Sequence, residues 1–585
     1  TEEYIRDRRF EVIGVAVQRN LEEPVWFSGT KAKVKEFLDQ YDWGNSVAIA
    51  HNAMFDMAIL NWHFDIRPKR IVDTLSMARA LHTIEVGGSL AALADYYNIG
   101  EKGTEVLNAL GKRRVDFDAE SLARYGEYCK NDVAITRELF GILVQGFPLV
   151  ELKLIDLTIR MFTEPKLVLD TNVLQAHKEI LEIAKNRFLI DYEKEDLMSN
   201  PRFAELLKNL GVDPPMKISP ITGKETFAFS KSDEEFSALL EHPSVKVQTL
   251  VAARLGIKST IEETRTERFL GIAKRGALPI PLRYYAAHTG RWGGDDKVNM
   301  QNLPRNSVIK RAVCAPDGYK LIDSDSSQIE ARTLAWLAEQ DDLVEAFEKG
   351  EDVYKQMASK IYNKPEGDIT KDERFVGKTT ILGAGYGMGA ARFQAQLKVF
   401  GVDIPLEEAQ RIITTYRESY PKIPELWRQA GKALNAIMAD RSASLGRDGV
   451  VLVDGATGIR LPNGLYLKYP NLRFALPQDE ESREEMVYDT KRGKTIIPTR
   501  IYGGKLIENI CQALARITIG EAMLRINRKY PVVMTVHDAV ACLVPEGSED
   551  FGIEFVEMMM CMRPEWALDL PLDCESGSGS SYGDC

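Results

Sequence analysis

The chain has 585 residues, with 75 Lys and Arg against 86 Asp and Glu, giving a formal net charge of −11. At 44% hydrophobic and 28% charged it has a globular composition, which excludes a disordered chain. No run of about 18 apolar residues would span a membrane, and no secretory signal pattern opens the chain. At roughly 150 residues per domain the length predicts about four domains or sub-domains. The seven cysteines are scattered, odd in number and without a C-x-x-C pair. This reads as a reduced, cytoplasmic protein with neither a zinc module nor a disulfide frame. An acidic total does not exclude nucleic acid, because binding follows where the basic residues sit and not their sum.

The first 150 residues read as α/β. Glu11–Gln18 is a β-branched run, Val25–Phe27 a short second strand and Lys31–Gln40 a helix. Val47–Ala50 is a buried-type strand leading into His51-Asn52 and another helix. Residues 151 to about 285 read as mainly helical, with loops at Pro214-Pro215 and at 219–223. Val251–Tyr285 holds seven basic residues, Arg254, Arg265, Arg268 and Arg275 among them, against three acidic ones. Such a stretch is either a solvated helix face or a surface that tracks phosphates. From about residue 286 strands and helices mix. Val532–Val544 predicts two apolar strands around a polar tip, His537-Asp538, and the Ser/Gly-rich Ser576–Ser581 predicts a loose tail.

Three segments can carry chemistry. In Lys320–Arg332 (KLIDSDSSQIEAR) an apolar strand start ends in Asp323 and Asp325. A carboxylate there suits a metal ion, and equally a helix cap. Arg374, Lys378, Leu382 and Tyr386 follow one another at steps of four. On an α-helix each step drifts by only about 40°, so all four share one broad face. Two cations one turn apart repel slightly, which makes sense where a polyanion such as a triphosphate lies along that face; a plain surface helix is the alternative. Gly385–Ala390 also fits G-x-G-x-x-G/A, but that fingerprint needs a preceding strand, and here a helix precedes it. At the third segment, His537-Asp538, the Asp serves either the turn itself or a metal.

Together these segments resemble the family A DNA polymerases. Asp325–Arg332 resembles their motif A (D-x-S-Q-I-E-L-R), the Arg374 to Gly387 ladder their motif B, and Val536-His537-Asp538 their motif C. Thr289-Gly290-Arg291 and the run Asn299 to Pro304, with Gln301 and Asn302, resemble the T-G-R…N-x-Q-N-x-P segment. The motifs stand in family order over residues 286–585. Nearer the start, Asn52 with Asp56, and Tyr128 with Asp132, resemble the second and third motifs of the 3′→5′ exonuclease that this family often carries. The resemblance implies an α/β and α+β multidomain chain, a ribonuclease H-like exonuclease domain followed by a right-hand polymerase of palm, fingers and thumb. It places the exonuclease-like domain at 1–150, thumb and connecting helices at 151–285, palm at 286–335, fingers at 336–500, and the second palm segment with motif C and the tail at 501–585.

The resemblance implies template-directed addition of dNTPs to a primer 3′-OH with two Mg²⁺ ions, for which Mn²⁺ can substitute. Asp325, Asp538 and the carbonyl of Ser326 would hold them, since Mg²⁺ takes hard oxygen ligands. Arg374 and Lys378 would bind the incoming phosphates, Lys378 protonating pyrophosphate. Tyr386 would sit at the templating base, and Glu330, beside Gln328, would act as the gate against a ribose 2′-OH. Tyr354 stands where bacterial relatives often have a phosphate-contacting His. Arg291 and Gln512 would reach the minor groove at the primer end, where every base pair offers an acceptor. Asn299, Gln301, Asn302 and His537 would line the DNA, and Arg265 and Arg268 would hold phosphates from the thumb. The implied partners are primer–template DNA, dNTPs and replisome proteins such as a helicase and a single-strand-binding protein. A monomer free of membrane is expected, in the host bacterial cytoplasm if the source is a phage.

Some positions depart from the family. Leu382 replaces a Phe or Tyr, which predicts slow incorporation and strong dideoxynucleotide discrimination. Ala539 follows motif C where Glu is common, while Asp538 remains. The first exonuclease motif, D-x-E, has no counterpart before EVIGVAVQ, and Thr1-Glu2-Glu3 does not read as a strand. A chain that starts after that strand would show little or no proofreading and a partly unpaired sheet. The compact exonuclease–polymerase layout resembles phage polymerases, so phage genome replication is the expected setting. The alternatives are a catalytically decayed DNA-binding replisome scaffold, opposed by Asp325, Lys378 and Asp538, and a single-subunit RNA polymerase, opposed by Glu330.

Overall fold

Backbone pairing builds the N-terminal region around two short ladders. The computed structural model describes all residues except 83, 104–108, 110, 189–191, 220–223, 231–232, 259–260, 305, 476–483 and 493–494. Strands β1 (Val15–Val17) and β2 (Val25–Phe27) pair antiparallel; β3 (Val47–Ala50) and β4 (Arg70–Asp73) pair parallel, and the two ladders are separate sheets. Only three residues of the expected Glu11–Gln18 strand form the ladder. The parallel pair is joined by α1 (Ala53–Phe64), which buries Met57, Ala58 and Leu60. Long α2 (Ala119–Leu143) crosses this domain, and Gly126 lets it close on Trp26: a Cβ there would lie 2.6 Å from the indole. Thr1–Glu3 is no strand; Glu2 begins a four-residue helix and receives Arg275 through two hydrogen bonds of 2.7 and 2.8 Å.

Helices dominate the next segment, as its spacing predicts: α3 (Leu149–Thr163), α4 (Thr171–Phe188), α5 (Val245–Lys258) and α6 (Ile261–Ala273). A small hairpin, Met216–Ile218 with Glu225–Phe227, flanks the expected 219–223 loop, most of which lies outside the described residues. The basic stretch is only partly a surface. Arg254 is fully buried in a satellite core with Phe203, Phe229 and Phe236. It donates to the Leu197 carbonyl and to Asn200, and its guanidinium lies 4.7 Å from the Phe203 ring centre. A buried cation needs such partners, so Arg254 serves packing and is corrected as a phosphate-tracking candidate; Arg275 is paired with Glu2 but stays 24% exposed.

A four-stranded sheet has the order β6-β7-β5-β8, all antiparallel: β5 (Tyr319–Ser326), β6 (Val532–Val536), β7 (Ala539–Pro545) and β8 (Cys574–Gly579). Alternation along β5 sends Leu321, Asp323 and Asp325 to one face and Ile322, Ser324 and Ser326 to the other. The tail expected to be loose is instead strand β8. Its ladder is made by main-chain groups, and its small side chains let the chain end fold back: a Cβ on Gly577 would lie 2.6 Å from the carbonyl carbon of Cys585.

Between β5 and β6 lies an α-rich insertion with its own core: α7 (Ile329–Leu337), α8 (Val353–Tyr362), α9 (Lys371–Ala384) and α10 (Lys422–Met438). Residues 443–501 add a four-stranded and a three-stranded antiparallel sheet. The chain returns along buried α11 (Gly503–Ile526), and α12 (Glu549–Met560) packs on β5 and β8. Among the described residues no helix is long and apolar enough to cross a membrane.

One buried ion pair joins these parts. Glu151 on α3 accepts from Arg516 of α11 (2.5 Å), Tyr284 (2.6 Å) and Asn463 (2.7 Å). The Arg516 guanidinium lies 4.6 Å from the Trp292 ring centre. Burial alone would push the Glu151 carboxyl up; Arg516, Tyr284 and Asn463 outweigh it and hold the carboxyl below its ordinary value. Glu151→Ala strands a buried cation, and we expect a loss of about 3–5 kcal/mol, read as a lower Tm. Glu151→Leu combined with Arg516→Met recovers most of it.

Candidate active site

The tip of the β6–β7 hairpin is docked on the end of β5. His537 takes a left-handed φ of 53°, and the Ser326 N–H donates to the Asp538 carbonyl at 3.2 Å. Asp325, opposite Ala539 and Glu575 in register, is thereby brought beside Asp538. Burial first pushes the Asp538 carboxyl up to about 6; Arg291 opposes this, while Glu330 and Asp325 add to it. Gln328, with φ of 48°, turns the chain sharply from β5 into α7 and puts Glu330 in the first turn. Arg291 bonds the Glu330 carboxylate and lies 3.7 Å from Asp538. The motif A, motif C and T-G-R residues thus share one charged cluster.

Helix α9 opens with a capping box, Thr370 with Glu373. It buries Val376, Thr380 and Ile381 and leaves Arg374, Lys378 and Leu382 towards the other side, Leu382 being 40% exposed. Arg374 Nε donates to Asp352 at 2.7 Å. The ring of buried Tyr354 lies 5.3 Å from the Arg374 guanidinium and 5.8 Å from Lys378 Nζ. Tyr386, past the helix end, donates to the Glu330 carbonyl at 3.4 Å, so the far end of α9 touches the Glu330 turn.

The residues expected along DNA are only partly gathered. His537 Nε2 lies 3.1 Å from the Gln301 carbonyl, and Gln301 donates to the Trp292 carbonyl at 3.0 Å. Arg265 of α6 donates to the Asn302 carbonyl at 3.1 Å. Asn299 caps its own turn by accepting from the Gln301 N–H at 3.0 Å. Gln512 bonds Glu508 (3.2 Å) and Arg268 faces Glu3 (4.0 Å); neither is hydrogen-bonded to the Arg291 group among the described residues. Sequence reasoning missed Asp352, the partner of Arg374, and the role of Arg332. Buried Arg332 donates to the Ser327 carbonyl (2.8 Å) and to Asp573 (3.1 Å), fixing the turn after Asp325. Motif A already contained Arg332; nothing local marks Asp352 beyond a helix-capping Asp.

In the N-terminal domain Asn52 holds a left-handed φ of 70° while its N–H donates to Asp73 at 2.8 Å. Asp56, Asp73 and Asp132 lie in one electrostatic neighbourhood with Lys102. Lys102 Nζ pairs with Asp132 at 2.6 Å and lies 5.5 Å from the ring of Tyr128, one turn earlier on α2. Both predicted helix pairs therefore meet.

Fold and site together define a right-hand nucleic-acid polymerase joined to a nuclease-like domain. A family model described as DNA polymerase family A matches residues 166–441, and one described as 3′-5′ exonuclease matches residues 33–146. The two models together place a family A DNA polymerase region behind a 3′-5′ exonuclease region in this chain. It is 23% identical to the DNA polymerase of Bacillus phage SP02, over 90% of this chain and 88% of that one. It is 28% identical to DNA polymerase I of Pseudomonas aeruginosa over 54% of this chain, and 31% identical to the thermostable DNA polymerase I of Thermus aquaticus over 43%. It spans 35% and 29% of those bacterial proteins. The polymerase domain of Pol1 from M. smegmatis, solved with DNA primer-template and dNTP, shares the fold at a TM-score of 0.65 and 18% identity, over 96% of this chain and 91% of that one.

Members of this family depend on a metal ion, typically Mg²⁺. Among the described residues no group of three or more His, Cys, Asp or Glu could hold an ion by itself. Two neighbouring carboxylates and a strand-end carbonyl still fit Mg²⁺, which is commonly bound by one or two carboxylates plus substrate phosphates. A tighter constraint is steric. A Cβ on Gly377 would lie 2.2 Å from the Tyr354 carbonyl, so only glycine lets α8 and α9 meet. We expect Gly377→Ala to cost about 1–3 kcal/mol, and to weaken dNTP binding by shifting Arg374 and Lys378, read in a filter-binding titration.

Proposed function

We propose that this family A DNA polymerase extends a primer 3′-OH along a DNA template by nucleotidyl transfer at Asp325 and Asp538. The observation that carries the reading is the docking of the motif C turn on the end of β5, which puts Asp538 beside Asp325, while Tyr386, past the end of the cation-bearing α9, reaches the Glu330 carbonyl of the same cluster. Asp325, Asp538 and the Ser326 carbonyl would hold the two Mg²⁺ ions. When bound, these ions supply charge stabilisation to the attacking and leaving oxygens. Arg374, oriented by Asp352, and Lys378 receive the triphosphate, and Lys378 Nζ gives its proton to the leaving pyrophosphate. Glu330 occupies the space of a ribose 2′-OH, held there by Arg291. Tyr386, bonded to the Glu330 carbonyl, couples the templating position to that gate. Arg291 and Gln512 contact the minor groove at the primer end, and Arg265 supports the Asn299–Pro304 segment from the thumb.

The domain limits follow from this reading: exonuclease-like domain 1–150, thumb 151–285, palm 286–335 and 501–585, fingers 336–500. The 88% coverage of the phage SP02 polymerase supports phage genome replication as the setting.

Primer extension on a recessed duplex with dNTPs and Mg²⁺ tests the proposal. Asp538→Asn and Asp325→Asn should each abolish extension while DNA binding remains; extension by either variant would sink the assignment. A lane without dNTPs reads the N-terminal domain separately, since primer shortening there reports an exonuclease. Leu382 offers a second check. Replacing it by Tyr restores a ring and hydroxyl on the nucleotide face of α9, and we expect a higher ratio of dideoxy to deoxy incorporation. An unchanged ratio would remove Leu382 from sugar discrimination.

A further inference from the structure

One pair of thiols lies beside the proposed catalytic strand and is not used by it. Cys561 caps the C-terminus of α12, and Cys574 begins β8; their sulfurs are 3.6 Å apart, with both side chains half-buried. Cys574 pairs in register with Ser326, the residue after Asp325. The preceding residue, Asp573, accepts from Arg332 (3.1 Å), and its carbonyl accepts from the Ser327 N–H (2.9 Å). The strand that bears this thiol is therefore bound to the motif A turn on both sides.

We propose that Cys561 and Cys574 form an oxidation site, a dithiol that hydrogen peroxide converts to an intramolecular disulfide which slows DNA synthesis. The hydrogen bond from Cys574 holds the Cys561 thiol below its ordinary value, and the buried charge of Arg332 acts in the same direction. Cys561 is the attacking thiolate. Its sulfur attacks one peroxide oxygen, the O–O bond breaks, and the displaced oxygen leaves as water with the thiol proton. The resulting sulfenic acid is attacked by the Cys574 sulfur, the S–O bond breaks, and a second water leaves with the Cys574 proton. Two thiols are oxidised and one peroxide is reduced. A disulfide needs its sulfurs about 2.0 Å apart, so α12 and the start of β8 must draw together. A close-packed interior transmits that movement to Ser326 and to the Asp573–Arg332 contact. The effect on synthesis rests on the polymerase reading; formation of the bond does not.

The test uses the full chain treated with hydrogen peroxide, digested between Cys561 and Cys574, and mapped by mass without reduction. The expected product is a Cys561–Cys574 linked pair two hydrogens lighter than the dithiol, with primer extension reduced several-fold and restored by dithiothreitol. Cys561→Ser and Cys574→Ser should each extend primers normally before treatment and resist the peroxide effect. Linkage through Cys585 or Cys542 instead, or no change at these two thiols, overturns the site. A Cys561–Cys574 link with unchanged extension overturns the effect on synthesis. Absence of extension before treatment would instead count against the polymerase reading, and the mass result would still decide the site.

Discussion

A single main-chain hydrogen bond, from Ser326 to the carbonyl of Asp538, fixes the distance on which the rest of this enzyme depends. The two acids are more than 200 residues apart in the chain, and neither could bind a shared ion from a mobile loop. Strand β5 sits inside the sheet, with β7 on one side and β8 on the other, so its end cannot shift without breaking a ladder. The left-handed His537 then turns the hairpin tip onto that end. The charges gathered there repel one another, and Arg291 is the cation that keeps the cluster tolerable before substrate arrives.

Around this point the structure alternates between tight and adjustable contacts. Glu151 and Arg516 tie α3, α11 and the 284–292 segment into one unit, where a buried pair penalises any separation. The α8–α9 contact at Gly377 is equally close. The ion pairs of Arg374 with Asp352 and of Arg291 with Glu330 are partly exposed, so water screens them and little free energy holds either partner in place. Rigid packing thus surrounds side chains that are free to change partners.

Much of this is legible in the sequence. Val47–Ala50 and the β6–β7 hairpin follow from apolar runs with polar ends, and the Arg374, Lys378 and Leu382 steps of α9 follow from helical spacing, with Tyr386 falling just past the helix end. What could not be read has physical causes. β8 is built from Ser and Gly, which carry no strand signature, and exists because β5 offers an edge to pair with. Arg254 looks like surface charge until its aromatic cage is seen. The strands of residues 443–474 are two or three residues long, too short for a period of two to show. Asp352 and Glu575 reach the site through helix packing and strand register, both set by residues distant in the chain.

The position of β5 also bears on how the chain acquires its structure. Its neighbours β7 and β8 are synthesised more than 200 residues after it, beyond an insertion with a hydrophobic core of its own. Loop-closure entropy must be met before such distant strands repay it. During synthesis the insertion can collapse locally, while β5 waits with both edges open. A strand with unpaired edges in that condition is a site for pairing with other chains. The arrangement that holds Asp325 beside Asp538 in the finished protein therefore waits on the last-made strands, and until they arrive an edge of the sheet stays open.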